Sequence, residues 1–335
     1  MLELSKIKGK ESSRKASWMK LQEIIIRDPF IFTDKERDCY FLYGTDMGTC
    51  DGAANVDPCF LCYVSEDLVN FYGPYVVFEP EKGFWGVKHY WAPEVYMHQD
   101  KYYMFATFKG GIKEDRGTGI LIADAPEGPF YNYSKGHVTL PGHECLDGTL
   151  HWDDTGVPWI VFCHEWTEIY YGKIKALPLK KDLSGIDDFN REVIIVDTQN
   201  DSLPWIRHMK DERVGKTGYL TDAPFLYRLK DGKLLLIWSS YAIHGYQSGG
   251  EGGYVIAGCI SRSGKIEGPW EHIPKLLLDK NAGHSALFID LQGNLKLISH
   301  CNDTLHGQEH PIILSVNEDD GWISIKWDRF KEDKT

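Results

Sequence analysis

Basic clusters are absent from this chain: 37 Lys and Arg are dispersed among 49 Asp and Glu, for a formal charge of −12. A nucleic-acid groove needs a concentrated cationic face to meet phosphates, so nucleic acid is excluded as a partner and neutral or cationic ligands are expected. No stretch is long and apolar enough to span a bilayer as a helix, and no membrane partner is expected. The N-terminal segment MLELSKIKGKESSRKASWMK is polar and lysine-rich and contains no apolar core of the length a secretory leader needs. Without a readable leader, the expected location is cytoplasmic. The eight cysteines, Cys39, Cys50, Cys59, Cys62, Cys145, Cys163, Cys259 and Cys301, lack the close spacing of a disulfide framework and read as small buried apolar side chains. Cys59 and Cys62 have no second pair at zinc-ligand spacing, and His89, His143, His151, His164 and His300 show no H-x-x-x-H pattern on a helix.

Aromatic residues, glycine and proline are plentiful: 11 Trp, 18 Tyr, 15 Phe, 33 Gly and 15 Pro, the composition of many short strands joined by tight turns. One pattern recurs five times, an apolar hairpin opened by a short turn carrying Asp, Ala-Pro or Gly-His. The copies read DPFIFTDKERDCYFLYG from Asp28, APEVYMHQDKYYMFATF from Ala92, DGTLHWDDTGVPWIVFCHEW from Asp147, APFLYRLKDGKLLLIWSS from Ala223 and HSALFIDLQGNLKLISH from His284. Their starting positions are too unevenly and too widely spaced for a short solenoid, and they suit sheets with variable outer loops. The expected fold is all-β, a five-bladed β-propeller: residues 1–20 form an irregular N-terminal arm and 21–335 a single propeller domain. Outer strands are expected to begin at Ser65, Ala123, Ala176 and Ser261, and Glu127 and Glu267, in a repeated E-G-P-[FW] element, read as solvated turn residues.

In a blade, the innermost strand starts on one rim of the central channel and its antiparallel partner returns there. Leading residues and second-strand ends should therefore converge. The leading set is Asp28, Trp91-Ala92, Asp147, Asp222-Ala223 and His284; the returning set includes Asp46, Phe108, His164, Glu165, Trp166, Trp238, Tyr241 and Asp303. Carboxylates beside aromatic faces suit a sugar, and glycoside hydrolysis needs a proton donor at the leaving oxygen plus a second carboxylate acting on water or carbon. Candidate substrate contacts are Trp91, Phe108, His164, Trp166 and Trp238. The glycine-rich segment from His244 to Tyr254 lacks the Lys-[Ser/Thr] of a phosphate loop and reads as a mobile loop over the pocket.

The RDPF turn at Arg27 to Phe30, YWAPEV at Tyr90 to Val95, LDG at Leu146 to Gly148 and GHSALF at Gly283 to Phe288, in this order along nearly the whole chain, resemble glycoside hydrolase family 43. The resemblance implies an inverting glycosidase acting on arabinofuranosyl, xylosyl or galactofuranosyl linkages, with an oligosaccharide as partner and no required cofactor. It assigns the base to Asp28, an orienting and pKa-tuning carboxylate to Asp147, and the acid to the fourth blade. Where the family has Glu-Gly-Pro, this chain has Asp222-Ala223-Pro224, one methylene shorter. Asp222 is the first choice for the acid; Glu165, ending the second strand of the Asp147 blade, is the rival and Glu144 a third. The resemblance also puts His284 beside an axial metal ion, commonly calcium, that water would largely hold. Two further classes remain open: a carbohydrate-binding propeller without catalysis, and a phosphate-dependent phosphorylase using Arg116, Arg207, His208 and Arg213. Oligomeric state is not legible in the sequence.

Overall fold

The computed structural model describes residues 7, 10–11, 15–51, 58–111, 115–212, 215–247, 250, 252–305, 307–319 and 321–326. Among the described residues, five antiparallel sheets of four or more strands follow one another along the chain and stand around an axis as a β-propeller, with a two-stranded ribbon, Met209–Asp211 paired with Lys216–Gly218, between the third and fourth in sequence. Their innermost strands are Arg27–Asp34, Lys88–His98, Cys145–Trp152, Asp222–Arg228 and Ala282–Ile289. Each pairs with its return strand, Cys39–Thr45, Lys101–Lys109, Pro158–His164, Leu234–Ala242 and Leu295–Cys301. Third and fourth strands complete blades I to V. Among the described residues, no helix is long and apolar enough to cross a membrane.

The five leading residues share one backbone device. Asp28, Ala92, Asp147, Ala223 and His284 all adopt φ between 48° and 54°, and the ladder register of every blade shifts at that point. A left-handed conformation costs a non-glycine residue about 1–2 kcal/mol, and it is held here by bonds between blades. The Ala92 N–H donates to Thr45 Oγ1 (2.8 Å), Asp147 N–H to Thr107 Oγ1 (2.9 Å), His284 N–H to Ser239 Oγ (2.9 Å) and Asp28 N–H to His300 Nδ1 (3.2 Å). Each acceptor lies on the return strand of the preceding blade, opposite the residue just before that blade's own bulge. In blade III that register position is Cys163, a poor acceptor, and the Ala223 N–H donates to Asp147 Oδ2 instead (3.1 Å). The same pattern brings His300 of blade V to Asp28 of blade I and so closes the ring. Arg27 reinforces the closure with ion pairs to Asp303 (2.9 Å) and Glu309 (2.8 Å).

Three expectations are corrected. Ser17–Lys20 pairs with Asn70–Gly73, and Lys10–Glu11 with Tyr75 and Val76, so the arm expected at 1–20 contributes edge strands to blade I. Trp18 lies edge-on to Tyr72 and Met19 packs against the core, but SWMK is too short a run for an apolar alternation to betray the strand. The segments expected as outer strands start on the last residues of third strands, at Ser65, Ala123 and Ser261 and two residues before the end at Ala176, and run into the corners to the fourth. Glu127 is buried, with both carboxylate oxygens 3.0 Å from Arg37 Nη1, whereas Glu267 is exposed as expected.

Candidate active site

Asp28, Asp147, Asp222, His284, Trp91 and Tyr254 line one cavity of about 260 Å³ at the channel rim. The bulged residues Asp28, Asp147 and His284 of blades I, III and V meet there with Trp91 and Asp222, which immediately precede the bulges of blades II and IV, and with Tyr254 of blade IV. Thr45 Oγ1, which accepts from Ala92, donates to Asp28 Oδ2 at 2.6 Å, and His284 Nδ1 stands 3.0 Å from Asp28 Oδ1 and 3.9 Å from Asp147 Oδ2. Tyr254 donates its hydroxyl to Asp222 Oδ2 at 3.1 Å.

These contacts set the three carboxyls apart. Burial works to raise Asp28, but the charge and hydrogen bond of His284, with Arg27 and His300, outweigh it and hold the group well below the usual carboxylate range. Asp147 is raised by burial and by the Asp28 charge, against His284 and the Ala223 N–H. Asp222 is raised furthest, by burial first and then by the negative charges of Asp147 and Glu165. Burial alone would lower His284, yet Asp28 and Asp147 raise it to about 9, which makes it a cation at neutral pH. A carboxyl held below the ordinary carboxylate range and one held well above it therefore face the same small volume.

Glu165 belongs to an adjoining cavity of about 830 Å³, which shares Trp91 with the first and is also lined by Trp166, Arg116 and Glu168. Both of its oxygens are engaged: Oε2 by Arg116 Nη2 at 2.9 Å and Oε1 by the Thr167 N–H at 3.2 Å. Trp91 stacks on His89 with ring centroids 4.0 Å apart, and the Arg116 guanidinium lies over its ring. Trp91 and Trp166 thus stand where substrate contacts were expected.

Phe108, Trp238 and His164 do not. Phe108 is fully buried and packs edge-on against Phe60, Phe78, Phe84 and Tyr90; Trp238 is buried against Trp205. Strand parity is the reason. Thr107 and Ser239 face the following blade, whose leading N–H each accepts, and successive side chains of a strand alternate faces, so the neighbours Phe108 and Trp238 point the other way, into buried packing. His164 follows Cys163 and is turned away in the same manner, onto Glu168. Of the basic residues considered for phosphate, Arg207 lies over Tyr241 and His208 stacks on Tyr219, while Arg213 lies outside the described residues. The loop expected over the pocket, His244 to Tyr254, includes 248, 249 and 251, which also lie outside them.

The axis does not offer a ligand set for calcium. His284 turns Nδ1 to two carboxylates as a cation, calcium asks for six to eight oxygens, and the His, Cys, Asp and Glu atoms that converge at metal-ligand range among the described residues are elsewhere. Sequence reasoning missed Thr45, His300 and Tyr254. It also left Glu94 unassigned within WAPEV, although burial raises that carboxyl to about 7 near His284 and Asp147.

The family description Glycosyl hydrolases family 43 matches residues 23–323. The chain belongs to family 43. It is a glycosidase, and it is similar to an endo-arabinase from Bacteroides thetaiotaomicron VPI-5482, at 35% identity and a TM-score of 0.79, over 90% of this chain and 98% of that one. An extracellular exo-alpha-(1->5)-L-arabinofuranosidase, ArbA of Cellvibrio japonicus (strain Ueda107), is 22% identical across 92% of this chain and 85% of its own length. An endo-1,4-beta-xylanase from Bacteroides thetaiotaomicron VPI-5482 shares the fold at 22% identity and a TM-score of 0.67, over 90% and 94% of the two chains. The expected cytoplasmic location is corrected by the second of these, which is an extracellular enzyme. That expectation rested on the polar N-terminal segment.

Proposed function

We propose that the chain hydrolyses α-L-arabinofuranosyl linkages of arabinan-type oligosaccharides with inversion, using Asp222 as acid, Asp28 as base and Asp147 to orient and tune. The observation that carries this reading is the pairing of a raised Asp222 with a depressed Asp28 in one cavity. Inversion needs one carboxyl that keeps its proton for the leaving oxygen and one carboxylate that takes a proton from water. Asp222 Oδ2 already accepts from Tyr254, which leaves Oδ1 to carry the transferable proton. A depressed pKa makes Asp28 a weak base, and this suits a water whose proton leaves late, after attack on an oxocarbenium-like carbon. His284, cationic between Asp28 and Asp147, keeps the base ionised. Asp147 is tied by Ala223 N–H directly beside Asp222, and its charge opposes premature loss of the acid's proton.

The scheme calls on no cofactor. The smaller cavity takes the sugar whose bond is cleaved, Trp91 packs on its apolar face, and the adjoining cavity with Trp166 takes the rest of the oligosaccharide. Arabinose is favoured over xylose because the relative at 35% identity is an endo-arabinase.

Proton NMR of the first sugar released from an arabino-oligosaccharide tests inversion, and a retained anomer would end that part of the proposal. Asp222→Ala and Glu165→Ala, assayed on aryl arabinofuranosides of graded leaving group, test the acid. Loss of the acid should matter little for good leaving groups and by about 10²–10⁴ for a sugar alcohol. That signature appearing in Glu165→Ala and not in Asp222→Ala would reverse the assignment.

A further inference from the structure

One cluster of titratable side chains stands outside this scheme. His143 lies on the turn before blade III, His164 ends that blade's return strand opposite Cys145, and Glu168 follows in the short helix Trp166–Ile169. Glu168 Oε1 is 3.0 Å from His143 Nδ1, its Oε2 is 3.0 Å from His164 Nε2, and one ligand atom from each residue lies within 4.8 Å of the others. His164 is only 5% exposed, directs Nε2 into the cluster and has no partner for its buried Nδ1.

We propose that His143, His164 and Glu168 bind a divalent transition-metal ion of the zinc class. Two imidazoles and one carboxylate form a donor set that zinc uses where it keeps a fourth position open. Bonds of about 2.0–2.1 Å in tetrahedral geometry place donor atoms roughly 3.3 Å apart. The present separations bracket that spacing, and the closure required falls to His143, whose side chain is half exposed on a turn. Two nitrogen donors select against calcium and magnesium, which take oxygen. Glu168 Oε2 also accepts from the Glu144 N–H at 2.8 Å, a bond that keeps the carboxylate oriented for an ion. The ion would fasten the turn carrying Glu165 and Trp166 to the start of blade III, along the edge of the larger cavity that Glu168 itself lines. When Nε2 of His164 ligates, its Nδ1 carries the proton without a protein acceptor, so micromolar affinity is expected and not nanomolar.

The test uses the full chain, stripped with chelator and titrated with Zn²⁺ and with Co²⁺, read by calorimetry and by the visible spectrum of bound Co²⁺. One ion should bind per chain, Ca²⁺ should not compete, and His143→Ala and Glu168→Gln should each weaken binding at least tenfold. Both substitutions are at partly exposed side chains and leave the core intact. Asp28→Ala should bind the ion as wild type does. Absence of binding at millimolar Zn²⁺, affinity indifferent to both cluster variants, or loss of binding in Asp28→Ala would overturn the proposal. None of these readings depends on hydrolysis.

Discussion

Tyr254→Phe removes a single oxygen and separates the two candidate acids. The ring is buried, stacks on His300 at 5.5 Å and 15°, and touches Asp222 only through its hydroxyl, at 3.1 Å. That donated bond favours the ionised carboxyl and opposes the burial and the charges of Asp147 and Glu165 that keep Asp222 protonated. A hydrogen bond to a charged group contributes about 1.5–3 kcal/mol, part of which the neutral acid also enjoys. With about 1.4 kcal/mol per pKa unit, the Asp222 pKa should rise by about one unit. If Asp222 donates the proton, the alkaline limb of kcat/KM against pH moves upward by that amount on an arabino-oligosaccharide. The acidic limb, set by Asp28 and its bond to His284, stays in place. An alkaline limb that does not move, or moves down, refutes the reasoning and returns the acid to Glu165, whose oxygens are held by Arg116 and Thr167 and not by Tyr254.

Three further outcomes are expected. Phe108→Ala should destabilise the fold by about 3–5 kcal/mol in denaturant titration while leaving KM of the folded enzyme unchanged, since the ring fills the space between blades I and II; a selective rise in KM would restore it as a substrate contact. Cys163→Ser supplies the hydroxyl that blades I, II and IV use, draws the Ala223 N–H away from Asp147 and should lower kcat about tenfold with KM little changed, since mispositioning acts on the transition state; wild-type kcat would show that this bond does not position Asp147. The pKa of His284 rises on folding from 6.5 to about 9, so its stabilising contribution is complete below pH 6.5 and fades as pH rises through 9; Asp28, with its pKa lowered, contributes above its ordinary 3.8 and loses this as pH falls. Urea midpoints should accordingly decline between pH 7 and 10 in the wild type and flatten in His284→Asn, and an identical slope in the two proteins would count against an imidazolium between the carboxylates.

Much of the site was legible because it is built on a repeat. The five leading residues align in sequence, and all five adopt the same left-handed bulge, so Asp28, Asp147 and His284, with Asp222 just before the bulge at Ala223, could be placed at one rim from turn chemistry and hairpin pairing alone. Those are local properties, set within a single hairpin and the turn that opens it. Phe108 and Trp238 were misplaced because a second-strand end was taken to point at the channel whatever its parity, and parity depends on which return-strand residue meets the next blade's bulge. Tyr254 and Arg116 reach the cavities from third strands, which no hairpin motif aligns with the axis.

The order of the carboxyl pKa values had no local cause to read. Asp28 and Asp222 are both aspartates before a Pro or an Ala-Pro, and chain pattern treats them as near equivalents. One is held low because His284, at the far end of the chain in blade V, lies against it; the other is raised by burial first and then by the charges of Asp147, which accepts the Ala223 N–H, and of Glu165. Hairpins and bulges follow from neighbours along the chain, whereas charge in a buried pocket follows from neighbours across blades, and those exist once the ring has closed.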